Sequence, residues 1–567
     1  MCHFLSKMTL FLNFDHIFYL FIKQQGKIMT NKNTLNARRA FLKSSLGAGA
    51  LISTAPLGLA FASSSTQEEV EGYTPSYVLP NDPRYTAFLT GSNYRFTSAP
   101  DWVSVCSSAH EVYIAARKAV SDNKRITVRA GGHCYEGFVD NDQGNIIDLG
   151  NMDKVYKQGA HYIVEAGARL GNTYETLLKE WGVTLPGGSC FNVAAGGHIS
   201  GGGFGALSRK YGLTVDYLVG VEIITFAEYG GQANYPRSYF LGESKQADDI
   251  VWAHQGGGGG NMGIVTKYFF KDLPPVPAMM SIQQLSVPWS VLDHASFTSL
   301  LQRYSQFFVD NNNISSQYNG LHASLTLNNK TGPSSTLDLT VTYAGDTPAL
   351  IDDFINAVFD APQLEAAEIS FSPQREAGPS LVPSSIERPQ PLGSYLTLPW
   401  WVATTIGGGG AGGARAKYKS AYMNDVFPVA QINTLWELLT SDAFINPAAA
   451  VQISSYGGRI NAVGKNDTAV SHRQSSLKLQ YQAYWFSPFQ DAYNIQWMQQ
   501  FYTKMYGPNG PESDGVMDGC YVNYPDVDLP NWQTLYYKDN YPRLQRIKTQ
   551  LDPHNRLYHA QSIELLS

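Results

Sequence analysis

Eight of the twenty residues from 186 to 205 are glycine, and among them stand Cys190, Phe191, Asn192, His198 and Ile199. A backbone so poor in Cβ atoms can enter φ > 0 conformations and approach a ligand closely, with main-chain N–H groups turned toward phosphate. Flexible linkers of similar glycine content seldom hold Cys, His and large apolar residues at fixed places. The stretch therefore reads as a ligand cradle built on Gly187, Gly196, Gly197, Gly201, Gly202, Gly203 and Gly205. A second candidate loop lies upstream, where residues 126–128 read as the end of a strand and run into Arg129, Gly131, Gly132, His133, Cys134 and Tyr135. Taken alone, His133 is a hydrogen-bonded loop histidine, as most histidines are structural.

Together the two loops carry a resemblance. Arg-x-Gly-Gly-His at 129–133, followed by Pro-x-Gly-x-Cys and Gly-Gly-His-x-Ser-Gly-Gly-Gly at 186–203, resembles the flavoprotein oxidases of the berberine bridge enzyme type, in the vanillyl-alcohol oxidase/PCMH superfamily. The resemblance covers residues 95–567. It implies FAD held by two covalent bonds, from His133 to the 8α carbon and from Cys190 to the 6-carbon of the isoalloxazine. Cys134 departs from the serine usual at that place in the family and adds a redox-sensitive thiol beside the flavin.

At 567 residues and 43% hydrophobic content the chain has material for two or more full cores. A net charge of −6 without a basic stripe excludes a nucleic-acid footprint. Five cysteines are too few for a disulfide scaffold. Arg38 and Arg39, a weakly apolar run at 44–59 and an Ala-x-Ala site at 60–62 read as a bacterial twin-arginine export signal, which predicts a periplasmic or secreted protein handled by the twin-arginine machinery. The run is too short for a stable membrane span. Met29 stands where such a signal would begin, so residues 1–62 are set aside as a leader.

In chain order, the pattern predicts a strand at 102–105, a helix capped at Ser108 with Val112, Ala115, Ala116 and Ala119 inward, strands at 126–128, 146–149 and 162–166, and a helix over 170–181 leading into the cradle. Gly258-x-Gly260-x-x-Gly263 matches a dinucleotide fingerprint, but a helix precedes it and a strand, 264–270, follows, so an NAD site is rejected. Gly263 and Ile264 instead resemble the glycine turn that closes the family's FAD domain. Beyond Pro274 and Pro275, strands at 280–287, 321–327 and 336–343 around a helix at 291–309 predict an antiparallel sheet with helices on one side. The expected division is a mature N-terminal segment at 63–94, an FAD-binding part at 95–275, a substrate-binding part at 276–515 and a C-terminal return at 516–567. The glycine-rich run 406–417 lacks the Gly-Lys-Ser/Thr ending of a phosphate loop and is expected to be a mobile loop at the site entrance.

Strands expected at 452–461 and 477–485 would place Gln452, Ser454 and Tyr456 on one face, and Lys478 and Gln480 on one face. Such a polar face is either solvated or the wall of a cavity; the family resemblance points to the cavity. Tyr521, Asn523 and Tyr524 lie in a segment resembling the family's C-terminal signature, with Asn523 on the cofactor side. If extended, Tyr521 and Tyr524 face opposite ways, and alternation leaves open which meets a substrate. A flavin-dependent oxidation of a carbinol needs a base for the hydroxyl proton. A tyrosine serves if a cation favours its phenolate, and Lys478 is the candidate cation for Tyr524 and Tyr456. The tyrosine pair resembles one branch of the family; members with a carboxylate there differ from this chain. Dioxygen would take the electrons and yield hydrogen peroxide. The rival functions are oxidative ring formation or desaturation of secondary metabolites on the same scaffold, use of another acceptor, and a non-enzymatic flavin- or sugar-binding protein.

Overall fold

The computed structural model describes residues 74–331, 336–369, 395–407 and 413–566. The leader lies outside these residues, as do positions 408–412 of the expected entrance loop; by Arg415 the chain is already a strand, Arg415–Met423.

Local chemistry sets the first elements. Ser108 Oγ accepts from the Glu111 N–H at 3.2 Å, opening the helix Ala109–Ser121, while the Glu111 carboxylate accepts from the Ser107 N–H at 2.7 Å and closes the turn one residue earlier than a standard capping box. Val112, Ala115, Ala116 and Ala119 are all buried. This helix connects the parallel strands Trp102–Val105 and Ile126–Arg129, which flank Asn145–Asp148, with Ser76–Val78 added antiparallel at one edge. The loop bearing His133 leaves the C-terminal end of Ile126–Arg129. The helix Leu170–Trp181 stops at Gly182, whose φ of 67° provides the left-handed cap. A second, antiparallel sheet holds Val155–Gln158, His161–Glu165, Ile264–Phe270, Leu218–Ile224 and Arg237–Phe240 in that spatial order. Gly258 to Gly263 sit between the helix Lys245–His254 and the strand Ile264–Phe270, the reverse of a dinucleotide turn.

The third sheet supplies the wall of the site. Its described strands are antiparallel throughout, in the order Glu368–Ile369, Met279–Pro288, Thr336–Tyr343, Leu321–Asn328, Ala449–Ser455, Leu477–Trp485 and Arg415–Met423, with Leu396–Pro399 also paired to Met279–Pro288. Strict alternation gives it two chemistries. Leu321, Ala323, Leu325 and Leu327 are fully buried on one face, as are Leu337, Leu339 and Val341 beside them, against helices such as His294–Asp310 and Leu350–Val358. The intervening His322, Ser324, Thr326, Asp338, Thr340 and Thr342 point the other way.

Two local expectations change. The strand expected at 452–461 ends at Ser455, because Gly457 and Gly458 take φ of 86° and 63° and turn the chain away. Residues 521–524 form a turn, closed by the Tyr524 N–H donating to the Tyr521 carbonyl at 2.9 Å, so the two tyrosines no longer alternate. Within the glycine cradle, Ala195–Ser200 is a short helix held by its neighbours rather than by propensity, since glycine costs about 1 kcal/mol in a helix interior.

Candidate active site

The two glycine loops meet. Ala195 and Gly196 N–H donate to the carbonyls of Ala168 and Ala166 at 2.8 Å each, and Arg169, just before the helix Leu170–Trp181, donates to the carbonyls of both Gly131 and Asn192. Arg169 thus pins the loop of His133 to the loop of Cys190; its only sequence signal was a lone cation at a helix start, and sequence reasoning passed it over. His133 is largely desolvated and lies near Arg169 and Arg129, which together bring its pKa down to about 4. The imidazole is therefore neutral at physiological pH, with a nitrogen lone pair to share. Arg129 does not line the cavity: its guanidinium donates to the Phe88 carbonyl at 3.0 Å and lies 3.5 Å from Asp148, so it acts on His133 only through its charge.

His198 looks inward from the short helix, accepting from the Gly188 N–H at 3.0 Å; burial, with Lys478 nearby, keeps it neutral with a pKa of about 4. Gly201, Gly202 and Gly203 do not line the cavity. Their lack of side chains serves packing: a Cβ on Gly201 would overlap the Asn523 amide. Asn523 in turn donates to the His198 carbonyl at 2.9 Å and to the Tyr521 hydroxyl at 3.1 Å, joining the C-terminal turn to the cradle.

Opposite these loops stands a corner of aromatic rings around one cation. Lys478 Nζ donates to Tyr524 Oη at 3.0 Å and sits over the rings of Phe204, Tyr524 and Tyr521 at 4.2, 4.3 and 4.6 Å. No ion pair to Lys478 is present among the described residues, and burial alone pulls its pKa down to about 7. Tyr524 is pushed above its ordinary value by burial, then by Tyr521, Cys190 and Tyr484. This reverses the expected assignment of charge. The cation does not hold a phenolate; desolvation keeps the phenol protonated and makes the ammonium the group that titrates near neutrality. Tyr135 stacks between Tyr418, at 3.6 Å, and Tyr524, at 5.4 Å, and accepts at its hydroxyl from Gln480 Nε2 at 3.0 Å. Tyr456 is not part of the corner. Having left the strand at Ser455, it is fully buried behind Phe204, 5.3 Å between rings, and lines no part of the cavity.

Sheet register extends this corner into a floor. Gln284, Thr340, Ser324, Ser454 and Lys478 are cross-strand partners in one row, and Ser286, Asp338, Thr326, Gln452 and Gln480 form the next. At about 4.8 Å between strands each row spans about 19 Å. All ten side chains line one cavity of about 1650 Å³. Only four of them stood in segments where sequence reasoning named a polar face. The other six follow the polar alternation of 279–288, 321–328 and 336–343.

The same cavity is lined by His133, Cys190, Cys134, Gly131, Gly132, Gly187, Gly196, Gly197, Gly205, Gly263 and Ile264. Its volume exceeds the roughly 300–1,000 Å³ of a usual ligand pocket, leaving room for a dinucleotide cofactor and a substrate together. A Cβ on Gly197 would meet nothing within 4 Å, so the cradle keeps open space where a bound group lies against the backbone. The donor set and the space both fit FAD.

Comparison with known proteins agrees with this geometry. Residues 100–228 match the FAD binding domain family and residues 520–564 match "Berberine and berberine like". The chain is 34% identical over 514 residues to the aclacinomycin-N/aclacinomycin-A oxidase of Streptomyces galilaeus, covering 85% of this chain and 88% of that one. It is also 34% identical over 519 residues to the hexose oxidase of Chondrus crispus, covering 85% and 93%. A glycopeptide hexose oxidase solved in complex with teicoplanin superposes with a TM-score of 0.78 at 32% identity, over 87% of this chain and 99% of that one. The fold and cavity define a PCMH-type FAD-binding oxidase, a mixed α/β protein in which a large antiparallel sheet walls the site. The chain belongs to the berberine bridge enzyme-like family of FAD-linked oxidoreductases and is an oxidase acting on CH–OH groups.

Proposed function

We propose that the enzyme oxidises a carbinol carbon of a carbohydrate, or of a natural product bearing many hydroxyls, to the carbonyl, with FAD held covalently at both His133 and Cys190. The observation that carries this is the two-row polar floor ending at Lys478 and Gln480. Ten hydrogen-bonding side chains, with Asp338 the one carboxylate among them, suit a ligand that offers hydroxyls in every direction. The names of the relatives, a hexose oxidase and an aclacinomycin oxidase, support the same substrate range.

When bound, FAD supplies the hydride acceptor and passes the electron pair to dioxygen, giving hydrogen peroxide. The chain's own residues handle the proton. With Lys478 neutral, the Tyr524 phenol gives its proton to Nζ as its oxygen takes the proton of the substrate hydroxyl. The ammonium so formed returns that proton to solvent after product leaves. Gln480 and Tyr135 fix the hydroxyl side of the ring stack.

Anaerobic mixing with a panel of mono- and oligosaccharides, hydroxylated polycyclic natural products and alkaloid amines tests the reading. Loss of the oxidised flavin absorbance with a saccharide or a hydroxylated polycycle is expected. Bleaching by the amines alone would instead favour oxidative ring formation or desaturation, and no bleaching by any compound would favour a binding protein.

We further propose that the twin-arginine segment exports the folded, flavin-loaded enzyme from a bacterial cytoplasm. Replacing Arg38 and Arg39 with lysine keeps the charge but not the planar fork. Fractionation should then find the protein retained in the cytoplasm; normal export of this variant would point to the general secretory route.

A further inference from the structure

Behind the ring stack lies a buried charge cluster that the chemistry so far does not use. Lys417 Nζ contacts Glu136 at 2.7 Å, Asp526 at 2.7 Å and Asp528 at 3.0 Å; Lys419 also pairs with Asp526, and Arg95 lies 3.9 Å from Glu136. Three cations thus face three carboxylates. Lys417, Glu136 and Asp526 are each about as buried as core leucines, with side chains 1–2% exposed. Burying so much charge gives little or no net stability compared with apolar residues of like volume. Stability is therefore a poor account of why it is there.

Its connectivity offers a better one. Glu136 follows Tyr135, Asp526 comes two residues after Tyr524, and Lys417 and Lys419 flank Tyr418 on the strand Arg415–Met423. Alternation sends Tyr418 to one face of that strand and the two lysines to the other. The same three segments are consequently tied twice, by the ring stack Tyr418–Tyr135–Tyr524 on the cavity side and by the ion cluster behind it. Rings slide easily over one another, whereas short charge-assisted hydrogen bonds are directional. The Asp526 backbone is fixed as well, its carbonyl accepting from Gln561 at 2.7 Å and its N–H donating to Tyr536 at 3.2 Å.

We propose that Lys417, with Glu136 and Asp526, is a positioning cluster that sets where the Tyr524 and Tyr135 rings stand against Lys478 and Gln480. Its effect on turnover rests on Tyr524 being the proton acceptor. A displacement of about 1 Å at a reacting group can cost on the order of a hundredfold in rate.

The test uses flavin-loaded enzyme carrying Lys417→Met together with Glu136→Gln, which removes one cation and one carboxylate at once. Two readouts are taken: the crystal structure of the variant, and anaerobic flavin reduction across substrate concentration. Tyr524 Oη should leave hydrogen-bonding distance of Lys478 Nζ, and limiting reduction should slow about ten- to hundredfold with little change in the concentration for half-saturation. A variant that melts lower yet keeps this hydrogen bond and reduces within about twofold of the parent, well inside the loss expected for a displaced group, overturns the proposal, because the cluster is then only structural. A displaced Tyr524 with undiminished reduction leaves the cluster as the positioner and refutes Tyr524 as proton acceptor. Should the double variant fail to accumulate, the isosteric Asp526→Asn takes its place, judged on the same two readouts.

Discussion

Tyr524→Phe is expected to keep its flavin and its fold and to reduce that flavin roughly 10²–10⁴-fold more slowly, the usual worth of a positioned acid or base. Phenylalanine preserves the stacking on Tyr135 while deleting the oxygen that Lys478 contacts. The pH profile assigns the partner. Reduction should rise with pH through about 7 as Lys478 loses its proton and becomes able to accept one from the phenol. Other groups facing Lys478 titrate far from that window, His198 near 4, His322 near 3 and Tyr521 near 12, all displaced first by burial. Lys478→Met should erase the limb, and Lys478→Arg, cationic at every working pH, should hold the rate near its acidic floor. A limb that survives in Lys478→Met would assign it to another group. A crippled Tyr521→Phe beside a normal Tyr524→Phe would move the acceptor role three residues back, to the ring also within 4.6 Å of Lys478.

The second large effect concerns the cofactor. Acid-precipitated wild-type protein should remain yellow, each of His133→Ala and Cys190→Ala should keep the colour through its remaining bond, and the double variant should release all flavin to the supernatant. A neutral His133 suits the proposed attachment, since a protonated imidazole has no lone pair to give. Flavin released from the wild type would refute covalent attachment. Colour lost from one single variant only would mean a single bond at that residue.

Much of this site was legible from residue order. The helix Leu170–Trp181 and the strand Leu477–Trp485 fall where periodicity puts them, because each has one apolar face, and Ile264–Phe270 falls where a run of β-branched and aromatic residues follows Gly263. The loops of His133 and Cys190 were recognisable because each sets a histidine or cysteine at a fixed place among closely spaced glycines. What escaped was set by backbone turns and by burial. Alternation put Tyr456 on the face of Gln452 and Ser454, which the family resemblance made a cavity wall, and two consecutive left-handed glycines turned the chain away there. Alternation likewise separated Tyr521 from Tyr524, and a turn brought both rings onto Lys478. The charge state of the Lys478–Tyr524 pair depends on desolvation by segments far apart in the chain, which neighbouring residues do not encode. The cluster around Lys417 joins residues from three distant segments and had no local signature.

The polar floor has a consequence for how such an enzyme can change. Because its ten side chains alternate with buried leucines and valines, a one-residue slip of any strand would drive hydroxyls and amides into the core and expose the apolar row. The pairing that folds the sheet is thus also the pairing that presents the floor, and neither can drift without the other. Individual floor positions carry no such constraint. Each of the eight other than Lys478 and Gln480 can exchange one polar group for another, or for a small apolar one, without disturbing the packing behind it, so the range of accepted molecules can shift by single substitutions while the scaffold and the Lys478–Tyr524 corner stay unchanged.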